Sequence, residues 1–219
     1  MRIFVKYAER LKLYYKQISL FAVVPFLILL VIVPFMYFYD ARNAVSYEQF
    51  CILLQNDLNL FLPLVPSWCG FFVLKEYIDS KGNEVLFLYG NRIKLQDYFL
   101  VSVLIWLLDI LELCVIVIAN HVLMRFAFCL LLTQIFVFIL LYSMTFLSGS
   151  ITASMLAIMA YFIVCQVVLI NKSIPFVFTS VFDYSSGREM KTVFLPMLVS
   201  VPILLLTGVI ANKRYIKYN

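Results

Sequence analysis

From Tyr98 to Tyr142 the chain carries three formal charges, Asp109, Glu112 and Arg125, in a mostly apolar run that breaks once, at Asn120-His121. Each half matches the roughly 20 residues of helix needed to cross about 30 Å of hydrocarbon. Within lipid every backbone polar group must find its partner inside the protein, which leaves a run of this kind little choice but a helix. Four further segments follow the same pattern. The six expected spans are Ile18–Tyr39, Leu58–Leu74, Tyr98–Ala119, Val122–Tyr142, Ile151–Ile170 and Val193–Ala211.

Composition supports a lipid-facing exterior rather than an oversized core. The chain is 64% hydrophobic and 13% charged, against roughly 45–50% and about 25% in soluble domains. The expectation is a single all-α transmembrane domain over residues 1–219, with no long polar stretch left for a soluble module. The first apolar run is too long for a signal-peptide core and lacks a small-x-small cleavage site after it. Cys51, Cys69, Cys114, Cys129 and Cys165 are scattered through apolar runs without metal-ligand spacing, so each is expected as a structural residue.

Lysine and arginine set the expected orientation. Arg2, Lys6, Arg10, Lys12, Lys16, Lys75, Lys81, Arg92, Lys94, Lys213, Arg214 and Lys217 fall on one side of a six-span arrangement. Arg42, Arg125, Lys172, Arg188 and Lys191 fall on the other. The richer side is cytoplasmic, which puts both termini there, and the compact loops suit a bacterial cytoplasmic membrane.

The connecting segments carry their own expectations. Phe4, Tyr7, Leu11 and Tyr14 recur at helical spacing with basic residues between them, which predicts an interfacial helix over residues 1–16. Pro63, Pro66 and Gly70 predict a kinked or unwound outer end of the second span. Ser46-Tyr47-Glu48-Gln49-Phe50 reads as the start of a short surface helix in the outer loop. Ser148-Gly149-Ser150 reads as a tight inner turn. The outer segment 171–192 is apolar in its first half and is expected to dip back toward the membrane.

The cytoplasmic loop 75–97 holds a distinctive order of residues. Glu76 follows the second span, then come Gly82-Asn83-Glu84, Leu86, and Asn91-Arg92 before the third span. This resembles the first inner loop of permease subunits of type 2 ATP-binding-cassette exporters, with Gly90 standing where that family often has proline. The resemblance implies a short cytoplasmic coupling helix, with Glu76, Gly82, Glu84, Leu86 and Arg92 docking a cytoplasmic ATP-binding-cassette ATPase. It also implies a second permease, of the same or a related chain. The chain itself has no GxxxxGK[ST] phosphate loop, so ATP and Mg are expected on the partner ATPase and no cofactor on this chain.

Asp109 and Glu112 are the residues that most need explaining. At about 1.5 Å of rise per residue Asp109 falls near the bilayer midplane, and Glu112, three residues on, shares its face. A charge at that depth costs ~2.5 kcal/mol or more on insertion scales, so both should face the bundle interior or a polar cavity. One reading is a polar patch on a translocation path or interface; the other is structural hydrogen bonding to Thr133 and Gln134. His121 and Arg125 read as interfacial side chains. No HExxH or GxSxG is present, so the chain is not expected to be an enzyme, and nothing points to nucleic acid.

The leading expectation is a permease subunit of an ATP-driven exporter, moving an amphipathic substrate such as a peptide, drug or lipid-like molecule within membrane lipid. The alternatives are a non-transporting scaffold or regulator, and an ion-coupled secondary transporter using Asp109 and Glu112.

Overall fold

The computed structural model describes residues 21, 23–79, 93–167 and 195–218. The expected interfacial helix 1–16, most of the loop 75–97 and the outer segment 171–192 lie outside the described residues. Those described are almost wholly helical, without a strand among them. Seven helices carry them: α1 (Val23–Asn43), α2 (Tyr47–Phe61), α3 (Val65–Asp79), α4 (Ile93–Ala119), α5 (Met124–Ser148), α6 (Ile151–Val167) and α7 (Leu195–Tyr218).

Among the described residues, five stretches are long and apolar enough to cross a membrane: Val23–Asn43, Tyr47–Lys75, Tyr98–Ala119, His121–Ser148 and Leu195–Lys213. The expected fifth span, Ile151–Ile170, corresponds to α6, Ile151–Val167; among the described residues its apolar part is Ile151–Ile163, and residues 168–170 lie outside them. The second span differs most from expectation. It begins at Tyr47, because the segment read as a short surface helix continues into the membrane as α2. Ser46 caps it, its Oγ accepting from the Gln49 amide at 3.2 Å, while Gln49 Oε1 accepts from the Val45 amide at 2.9 Å. Both bonds satisfy amides that a helix start leaves open. One face of α2 buries Phe50, Cys51, Leu54, Gln55 and Leu58, so its polar residues point inward rather than to water.

Local backbone chemistry explains the interruptions. A 3-10 turn, Leu62–Leu64, joins α2 to α3 where Pro63 and Pro66 remove amide donors. In α1 a π turn spans Ile28–Ile32, the Val33 amide donating to the Ile28 carbonyl. Pro34 follows directly, lacks an amide and crowds the preceding turn. Gly149, at φ 64°, closes α5 in the left-handed region that glycine adopts without penalty.

Helix α5 is the hub. Of the apolar window in His121–Ser148, 72% is buried, against 22% for Val23–Asn43, 33% for Tyr98–Ala119 and 17% for Leu195–Lys213. The last three therefore form the outer wall, with rows of exposed apolar residues such as Phe35, Phe38, Val115, Ile118 and Leu206. Two close approaches anchor the wall to the hub. Tyr98 of α4 is fully buried, stacks on Phe138 at 4.0 Å between ring centroids and donates its hydroxyl to the Phe138 carbonyl at 2.7 Å. Its ring occupies the space where Gly70 of α3 has no side chain. In α7, Gly208 lets the helix meet α5: a methyl there would lie 3.0 Å from Ser143 Cα. The Ser143 hydroxyl, with one proton to give, lies within hydrogen-bond reach of the Leu204 carbonyl across the seam and of the Ile139 carbonyl in its own helix, and Asn212 Nδ2 donates to the Tyr142 hydroxyl at 3.0 Å. Small residues and cross-helix polar pairs are how helices associate where lipid offers no hydrophobic driving force.

Candidate functional site

Half-way along α4 the helix turns Asp109 inward until it is fully buried. Gln134 of α5 stands beside it and is fully buried as well. Gln134 comes within hydrogen-bonding influence of the carboxylate without a bond of ordinary length and angle. Its Nε2 donates instead to the Leu62 carbonyl at 3.2 Å. In an unbroken helix that carbonyl would accept from the residue four places on, which is Pro66 and has no amide to give. The Val65 amide of the 3-10 turn donates to the same carbonyl, so Gln134 adds a second donor to backbone that the proline break takes out of the regular helix. Both Asp109 oxygens and Gln134 Oε1 are left buried without a hydrogen-bond partner.

Thr133, one residue away, belongs to a different arrangement. Its hydroxyl donates to the Cys129 carbonyl of its own helix at 3.0 Å, so the expected Thr133 bond to the acidic pair is absent. The reason is rotation: adjacent helical residues point about 100° apart, and α5 turns Gln134 toward Asp109.

Glu112, one turn beyond Asp109, is half-buried and faces outward into a groove of about 440 Å³ between α1 and α4. Among the described residues it is the only charged side chain lining the groove, and its Oε2 is buried and unpartnered. At the Ala119 end of the groove Asn120 Nδ2 donates to the Tyr37 hydroxyl at 3.2 Å, tying α4 to α1. The two carboxylates therefore share a helix face only in part: one looks into the bundle, the other along its wall.

A second polar region was not anticipated. Asp40, near the end of α1, is buried with Oδ2 unpartnered, and it lies within electrostatic reach of Asp57 on α2. The signal for it was present in Gln55-Asn56-Asp57, which interrupts an apolar helix pattern but reads as loop when the helix start is placed too late. Trp106, whose Nε1 is buried and unpartnered three residues before Asp109, was also missed.

Of the expected docking residues, Glu76 sits in the last turn of α3, while Gly82, Glu84, Leu86 and Arg92 lie outside the described residues. Cys51, Cys69 and Cys129 are buried, whereas Cys114 faces out from the wall. His121 and Arg125 are exposed at the turn between α4 and α5.

No family model, curated protein or solved structure matches the chain.

Proposed function

We propose that the chain is the permease subunit of an ATP-driven exporter, coupling a cytoplasmic ATP-binding-cassette ATPase to passage of an amphipathic substrate. The observation that carries the reading is the polar centre at mid-depth. Asp109, Gln134 and the proline-broken helix at Leu62 bring polar atoms together where lipid penalises them, and intramembrane acids of this kind mark substrate or ion pathways. A purely structural role would close Asp109 into well-formed hydrogen bonds, and only Gln134 approaches its oxygens, without ordinary bond geometry.

In this reading α6 completes a sixth span and both termini are cytoplasmic. Glu76, Gly82, Glu84, Leu86 and Arg92 dock the ATPase, which binds the ATP and Mg. A second permease, identical or related, packs on the wall. The test is a mild-detergent pull-down of the tagged chain from its native membrane, with mass spectrometry of co-purifying proteins. A stoichiometric ATPase, lost when loop 76–92 is scrambled, is the expected result; a folded sample without an ATPase overturns the reading.

One observation favours a second reading, an ion-coupled carrier. An unpartnered acid beside an interrupted helix is the usual form of an intramembrane ion site. That reading requires transport to collapse with an ionophore and with Asp109→Asn, in the absence of any ATPase.

A further inference from the structure

We infer that the groove between α1 and α4 is a binding site for a compact lipophilic cation, held by the carboxylate of Glu112. The inference names a ligand class for the transport reading and rests on it for turnover, not for binding. The walls are Leu30, Val33 and Pro34 from α1 and Leu111, Val115 and Ala119 from α4, all apolar. A volume of about 440 Å³ falls within the usual range of small-molecule pockets. Tyr37 and Phe38 add aromatic rings to the α1 side, and such faces attract cations.

Charge complementarity selects the occupant. Among the described residues, the charge acting on Glu112 is that of Asp109, of its own sign, and no basic side chain lines the groove. A lipid acyl chain would fill the volume but leave Oε2 buried and unpaired, which is unfavourable. A zwitterionic headgroup does not reach the acid. Glu112 lies seven residues inside the end of α4 at Ala119, about 10 Å down the helix axis. A cation carried on an apolar body satisfies both the walls and the acid.

The experiment is equilibrium binding of tetraphenylphosphonium to the full chain in nanodiscs, with empty nanodiscs as the partition background. Tetraphenylborate, of the same shape and opposite charge, is the counter-probe. Saturable binding of the cation and not of the anion is expected. Glu112→Gln should weaken it at least tenfold. Leu111→Trp, which narrows the groove and keeps the carboxylate, should weaken it too, and remains informative if the first variant fails to fold. Glu48→Gln, on the exposed first turn of α2, should bind as the parent does. Equal binding of both probes, no saturable binding, or wild-type affinity in both groove variants overturns the inference. None of these outcomes touches the ATPase pull-down, so the two proposals fail separately.

Discussion

At the scale of single residues, the bundle keeps one acid where a neutral side chain would be more stable. Asp109 is fully buried without a well-formed bond to either oxygen, so Asp109→Asn should raise the melting temperature of the purified protein while impairing transport. A fall in both would assign Asp109 to the fold alone. Gln134 has the opposite character. Gln134→Leu removes the side-chain donor to the Leu62 carbonyl, which keeps the Val65 amide, and the loss should be about 0.5–1.5 kcal/mol, read by thermal or denaturant unfolding in detergent. The acid itself was legible in the sequence as a charge in an apolar run. Its neighbour was not, because Thr133 and Gln134 are equally polar and adjacent, and the rotation of α5 that chooses between them comes from packing along the whole helix.

At the scale of elements, the second membrane helix is the instructive one. Its break was legible from Pro63 and Pro66, but its start was not, since Gln55, Asn56 and Asp57 resemble an aqueous loop until their helix is seen to turn a polar face inward. The capping pair Ser46 and Gln49 was the available sign, and it marks the helix start to the residue. Because the Leu62 carbonyl also accepts from the Val65 amide, Pro66→Ala, which offers a further amide in place of Gln134, should recover only part of the stability lost in Gln134→Leu. A double-mutant cycle measures this, and additive losses would refute the pairing. Gly70→Ala tests a different kind of fit. The added methyl enters the ring of Tyr98, and overpacking of this kind should cost about 1–3 kcal/mol. Tyr98→Leu in the same background should recover part of it.

At the scale of the whole molecule, hydropathy made the membrane-like helical architecture legible, because lipid imposes one length and one kind of backbone on any span. It did not make the ranking of helices legible: α5 and α7 read alike, yet one is the hub and the other the wall. The proposed orientation is open to direct measurement in a cysteine-free background. With Val45→Cys at the turn after α1 and Ser150→Cys at the turn after α5, an impermeant maleimide should label the first in intact cells and the second only after permeabilisation. The reverse pattern inverts the topology. The seam at Gly208 bears on how the molecule is made. Helix α5 leaves the ribosome well before α7, so for that interval Tyr142 and Ser143 have no Asn212 or Leu204 opposite them. The nascent chain holds its central helix in the bilayer with one flank unfinished, and a helix synthesised about fifty residues later is the one that seals it.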